Sequence, residues 1–93
     1  MKGSEKQVNW ANELVEKAIS TLEWARENPP ASAKDDPDMW NKGIDFLVGR
    51  IRSAEYAGDV IDAFSSFRFG GDQEHNFMNV VNTMNSRAKK CKF

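Results

Sequence analysis

Apolar side chains recur at three- and four-residue steps through the first quarter of the chain. They are Val8, Ala11, Leu14, Val15, Ala18, Ile19, Leu22 and Ala25. This spacing puts them on one face of an α-helix. Ser4 and Gln7 precede the stripe at the spacing of a capping box, in which each side chain bonds the backbone N–H of the other residue. Since proline disfavours helix at the residue before it, Pro29 ends the pattern, and we predict a helix over 4–27.

A second stripe begins after Asp36 and Pro37, a pair typical of a helix start. Its apolar members are Trp40, Ile44, Leu47, Val48 and Ile51. The phase of the pattern then changes near Ser53. A new stripe follows with Ala57, Val60, Ile61, Phe64 and Phe67. We therefore predict two helices, over 37–52 and 54–68, with one long bent helix as the alternative.

A fourth stripe lies near the end of the sequence, after Gly70-Gly71, which we expect to end the third helix. Asp72 is the predicted cap of the last helix, over 73–90. Its inward side chains are Phe77, Val80, Val81, Met84 and Ala88. No segment alternates with period two, so no sheet is expected. The 93 residues therefore predict a single all-α domain over 1–93, a bundle of about four helices whose first and last are longest.

The same stripes predict which side chains form the core. Most of it is expected to come from Val8, Ala11, Leu14, Val15, Ala18, Ile19, Leu22, Trp40, Ile44, Leu47, Ile51, Val60, Ile61, Phe64, Phe77, Val81 and Met84. Trp10 is expected in the core or at its edge, like Trp40.

Charge and composition narrow the classes of function. Thirteen Lys and Arg residues face fourteen Asp and Glu residues, for a net charge of −1. This balance argues against a dedicated nucleic-acid binder, which carries excess positive charge, and equally against an acidic mimic of DNA. The single cysteine, Cys91, excludes an internal disulfide. With polar first residues and no apolar run near the roughly 20 residues of a membrane span, we expect a cytoplasmic protein.

Residues suited to catalysis or metal binding are sparse. His75, with Asp72 and Glu74 nearby, is the only histidine, and we interpret it as a surface residue of the first helical turn. Cys91 lies among lysines that favour its thiolate, but near the chain end. One His and one Cys cannot supply a usual zinc site, and the acidic residues 35–38 lack the spacing of a calcium loop. We predict no catalytic residue, no metal, no cofactor and no enzymatic activity.

The last helix is the best candidate for nucleic-acid binding. Asparagine recurs every third residue at Asn76, Asn79, Asn82 and Asn85, and Arg87, Lys89 and Lys90 follow. Asn pairs with adenine, and Arg and Lys contact phosphates. The preceding helix would repel the DNA backbone through Glu55, Asp59 and Asp62. A polar solvent face is the simpler interpretation, and a small DNA-binding regulator that uses this helix is the alternative function.

Aromatic and arginine side chains suggest a protein-binding surface, because these residues are enriched at the energetic centres of interfaces. Trp24 lies off the stripe of the first helix, and Phe67-Arg68-Phe69 stands beside Gly70. With Asn79 and Asn82 they form the predicted partner-binding set. The structural alternative is that Phe67 and Phe69 close the end of the bundle, while Trp24 packs on residues 29–30.

The stretch Ser4-Glu5-Lys6-Gln7-Val8-Asn9-Trp10-Ala11 resembles the first helix of small helical modules from phages and mobile elements of Gram-positive bacteria. In these, Lys-Gln precedes Trp-Ala, and a later Ala-plus-aromatic segment leads to Ile-Asp. Ser53-Ala54-Glu55-Tyr56 and Ile61-Asp62 match loosely, with Val60 where a tryptophan is expected. The resemblance implies an inhibitor or accessory factor, in the manner of anti-CRISPR and other anti-defence proteins. Its partner would be a host protein or protein–nucleic-acid complex, blocked without catalysis.

Overall fold

The computed structural model describes residues 1–66, 68–85, 92 and 93, and within them the chain is all-α. Four α-helices and one 3₁₀ turn make up its regular structure, and these residues form no sheet. The elements are α1 (Glu5–Glu27), the 3₁₀ turn (Ala31–Ala33), α2 (Pro37–Arg52), α3 (Ala57–Phe64) and α4 (Gln73–Asn85). The predicted all-α bundle is confirmed for the described part of the chain.

Helix α1 is the central element, and α2, α3 and α4 all pack against it. It starts as predicted. The Ser4 hydroxyl accepts from the Gln7 backbone N–H at 3.2 Å, and the Gln7 side-chain oxygen accepts from the Ser4 N–H at 3.1 Å. Its 23 residues span about 35 Å. Ala11, Ala18 and Leu22 have no exposed surface and mark the centre of its buried face.

Helices α2 and α3 are separate, as the change of phase near Ser53 predicts. The Asp36 carboxylate caps α2 by accepting from the Met39 N–H at 3.1 Å. Helix α3 begins at Ala57, later than predicted, because the N-terminal segment holds residues 54–56 outside the helix. Lys2 donates its N–H to the Glu55 carbonyl at 2.7 Å and accepts from the Ala57 N–H at 2.8 Å.

Helix α3 also ends earlier than predicted, at Phe64 rather than at 68. Ser65 forms its C-cap and donates its N–H to the Ile61 carbonyl at 2.9 Å. Gly70 is bonded to a side chain of α4, which fixes the course of the α3–α4 loop. The prediction that Gly70-Gly71 directly ends α3 is therefore wrong.

Helix α4 is capped by Asp72, whose carboxylate accepts from the N–H groups of Glu74 at 3.1 Å and His75 at 3.3 Å. Its described part ends at Asn85. Residues 86–91, over which the predicted helix continues, lie outside the described residues. Helix α1 is the longest described helix. Whether α4 is also among the longest, as predicted, depends on the length of α4 over residues 86–91.

Most of the side chains predicted to form the core are buried, and the exceptions lie at its edges. Those predicted as core that are only half-buried are Val8, Trp40, Leu47, Ile61, Phe77 and Val81. Trp10 is 49% exposed and does not pack against the core, so the prediction that it lies in the core or at its edge is wrong. It precedes Ala11 directly and is rotated about 100° from the centre of the buried face.

Two polar side chains lie among the buried apolar ones. Thr21 is 2% exposed, and its hydroxyl donates to the Lys17 carbonyl at 2.9 Å and to the Gln73 side-chain oxygen at 3.4 Å. Asn76 is 3% exposed. Together they link α1, α4 and the α3–α4 loop by hydrogen bonds.

Candidate functional site

An apolar groove of about 500 Å³ lies between α2 and α4. Both helices pack on α1 but have few contacts with each other, which leaves the space between them open. The 3₁₀ turn closes one end of this space. The apolar side chains that line it are Pro30, Ala33, Met39, Trp40, Ile44, Phe46, Leu47, Phe77 and Val81. We call this feature the α2–α4 groove.

Trp40 holds one end of the α2–α4 groove in place. Its indole N–H donates to the Ala25 carbonyl of α1 at 2.9 Å, so the polar atom of the ring is satisfied inside the fold. The ring lies 5.8 Å from that of Phe77, tilted by 52°. Trp40 thus ties α2 to α1, and its half-buried ring also lines the groove.

The α2 rim of the groove carries the most exposed large apolar side chains. Met39 is 70% exposed and Phe46 is 65% exposed. Gly43 lies between them, and a Cβ built at this residue would meet no atom within 4 Å. The rim is therefore apolar and open to solvent, and at its centre Gly43 has no side chain that projects into the groove.

Arg50 bridges the two helices beyond the other end of the groove. Its guanidinium donates from Nη2 to the Met84 carbonyl of α4 at 3.2 Å. It also donates to the Phe93 carbonyl, from Nε at 3.1 Å and from Nη2 at 2.7 Å. The Phe46 ring stacks 5.8 Å from the same guanidinium. Arg50 thus sets the spacing of α2 and α4 where the groove ends.

The end near the 3₁₀ turn is acidic. Asp36 lines the groove there, and Asp35 and Asp38 flank it; all three are exposed. Lys34 is the only basic residue between 31 and 40. The opposite side of α2 carries the ion pair between Arg26 and Asp45. Hydrogen bonds to Glu23 and then Asp45 raise the pKa of Arg26 above its already high usual value, so this arginine stays charged.

None of the described members of the predicted partner-binding set lines the α2–α4 groove. Trp24 and Phe69 are half-buried and pack against the core, while Arg68 is exposed. Phe67 lies outside the described residues. On α4, Asn79 is half-buried and Asn82 is exposed. The described members of this set therefore lie apart from the groove.

Asn76, a member of the predicted nucleic-acid set, has its side chain engaged inside the fold. Its side-chain amide is buried and bonds both backbone groups of Gly70, accepting from the N–H at 3.0 Å and donating to the carbonyl at 2.9 Å. It also donates to the Gln73 side chain at 3.3 Å. A side chain so engaged cannot read a base edge. Arg87, Lys89 and Lys90 lie outside the described residues.

Residues considered for catalysis occupy ordinary positions where they are described. His75 is exposed in the first turn of α4, and its backbone N–H bonds the Asp72 carboxylate. Cys91 lies outside the described residues. Among the described residues, no group of three His, Cys, Asp or Glu side chains is placed to hold a metal ion.

The groove itself is absent from the predicted sites. The pattern assigns five of its residues, Trp40, Ile44, Leu47, Phe77 and Val81, to the core. The signal that could have pointed to it is the apolar pair Met39 and Phe46, seven residues apart and beside the main stripe of α2.

Comparisons of the chain with protein families, curated proteins and solved structures find no match. Among the described helices, none combines the length and apolar character needed to cross a membrane.

Proposed function

We propose that this chain is a non-catalytic protein-binding inhibitor or accessory factor that binds its partner through the α2–α4 groove. The observation that carries the proposal is the open apolar groove with Met39 and Phe46 exposed on its rim. Removing these two side chains from water is worth about 1–2 kcal/mol each. Exposed apolar surface concentrated beside a concave site is typical of protein-interaction surfaces.

The inhibitory role rests on the resemblance of the first helix to phage and mobile-element modules. A small helical chain that occupies an apolar segment of a larger machine blocks it sterically and needs no reaction of its own. A host protein or protein–nucleic-acid complex, including a CRISPR-type defence complex, is the proposed target.

Glycine replacements on α2 test the binding face. Gly43→Leu places a side chain in the groove, whereas Gly49→Leu places the same side chain on α2 outside the groove, and neither Cβ meets an atom within 4 Å. We expect purified wild-type chain and Gly49→Leu to capture the same protein from a host lysate, and Gly43→Leu to lose it. Equal capture by Gly43→Leu would refute the groove as the binding face.

The alternative function is DNA binding by α4, which the exposed Asn82 favours and the buried Asn76 opposes. It predicts a mobility shift of duplex DNA at low salt that weakens when Arg87, Lys89 and Lys90 become Ala. The absence of a shift at low salt would exclude it.

A catalytic function would use His75, the only histidine. We propose that the chain has no catalytic function, so His75→Ala should leave its inhibitory or accessory effect unchanged. An effect lost specifically in His75→Ala, with the fold intact by circular dichroism, would contradict this.

A further inference from the structure

We infer that the occupant of the α2–α4 groove is a single amphipathic α-helix of a partner protein, with basic side chains at the end that lies over Asp36. This inference rests on the proposed function and specifies the chemistry of the partner. The spacing of the exposed residues, the dimensions of the groove and its charge support it.

The groove presents apolar side chains at helical spacing on both of its walls. Met39, Gly43 and Phe46 stand four and three residues apart on α2, and Phe77 and Val81 stand four residues apart on α4. Helices pack by fitting the rows of side chains of one into the grooves of another. Gly43 lowers the α2 wall where a crossing helix backbone would approach most closely.

The length of the groove sets the length of the partner segment. Trp40 meets Phe77 and Arg50 meets Met84, so α2 and α4 run in the same direction. The α2 wall extends over residues 36–47, about 16 Å of helix. A partner helix of about eleven residues, or three turns, fills this length.

The charge at one end favours a basic partner. Three exposed carboxylates, at Asp35, Asp36 and Asp38, surround the start of α2. Their three negative charges outweigh the neighbouring Lys34 and the partial positive charge of about half a unit at a helix N-terminus. Exposed charges contribute little affinity each but orient a partner and set its association rate. A lysine or arginine at this end of the bound helix is therefore favoured, and a glutamate or aspartate is disfavoured.

A displayed library of 14-residue helical peptides tests the inference. The residues on the outer surface of each peptide helix are randomised. The immobilised wild-type chain is the target, Gly49→Leu is the matched control and Gly43→Leu is the counter-target. We expect enriched peptides to carry large apolar residues at three- and four-residue steps, with Lys or Arg clustered at one end. Their affinity should fall at least about tenfold for Gly43→Leu and about threefold for the double variant Asp35→Asn, Asp38→Asn at low salt. That double variant spares the Asp36 cap.

The outcomes separate the inference from the proposed function. Peptides that lose binding to Gly43→Leu but are acidic, or lack helical spacing, overturn the inference and leave the groove as the binding face. Peptides that bind Gly43→Leu as well as wild type overturn both. A wild-type dimer in light scattering that Gly43→Leu converts to monomer also overturns the inference, because a second copy then fills the groove.

Discussion

The buried amide of Asn76 offers a sharp test of the fold. Asn76→Ala removes both hydrogen bonds to Gly70 and the one to Gln73. Gly70 is exposed, so water can solvate its freed backbone groups and limit the loss. We expect a cost of about 1–3 kcal/mol, which lowers the melting temperature by roughly 5–15 °C for a chain of this size. Thermal unfolding followed by circular dichroism at 222 nm measures it.

Asn76→Asp adds a pH dependence whose sign follows from the same contacts. The carboxylate can still accept from the Gly70 N–H, but it faces the Gly70 carbonyl and the Gln73 side-chain oxygen without a proton to donate. Burial and these oxygens raise the pKa of the new carboxyl in the folded state above its unfolded value. The destabilisation is therefore full above the folded pKa and shrinks as the pH falls through it.

Thermal unfolding of the two variants at pH 7 and pH 4 tests both the role of the amide and the expected pH dependence. Relative to wild type, Asn76→Asp should be less stable than Asn76→Ala at pH 7, and the difference should narrow at pH 4. An Asn76→Ala variant that melts within about 2 °C of wild type would refute the structural role assigned to the amide. An Asn76→Asp deficit that does not change with pH would refute the account of its charge.

Three further substitutions test other contacts. Gly3→Ala should destabilise by about 1–2 kcal/mol in urea unfolding, since Gly3 has φ +155° and an added Cβ would lie 3.0 Å from that of Ala57; wild-type stability would contradict this. Phe64→Ala should cost about 3–5 kcal/mol in the same assay because the ring has no exposed surface, and a loss below about 1 kcal/mol would be inconsistent with its burial. Asp45→Asn should cost less than about 1 kcal/mol, because its pair with Arg26 lies at the surface, and a larger loss would show that the pair is not solvent-screened.

The sequence predicts the helices where local chemistry decides them. Ser4 and Gln7 fix the start of α1, and Asp36 fixes that of α2, because caps act over three residues and need no distant partner. The bounds of α3 escape prediction. The start of α3 depends on Lys2, which bonds Glu55 and Ala57 from the N-terminal segment of the chain.

The same distinction explains why the sequence does not predict the groove. Periodicity separates apolar from polar positions, but it does not say whether a neighbouring element covers an apolar one. Trp40 and Phe77 therefore resemble core residues although both line an open groove. The asparagines of α4 differ in burial for a geometric reason. Each three-residue step turns the side chain by about 60° around the helix, so Asn76 points into the core and Asn82 into solvent.

Photocrosslinking tests the central claim, that the α2–α4 groove is the binding face, most directly. A photoreactive phenylalanine analogue replaces Phe46 on the rim of the groove in one variant and the exposed Asn82 of α4 in another. Both are irradiated in cells in which the wild-type chain captures its partner. We predict a crosslinked product of defined mass from position 46, lost when Gly43→Leu is added, and none from position 82. Crosslinking from position 82 alone would contradict the claim.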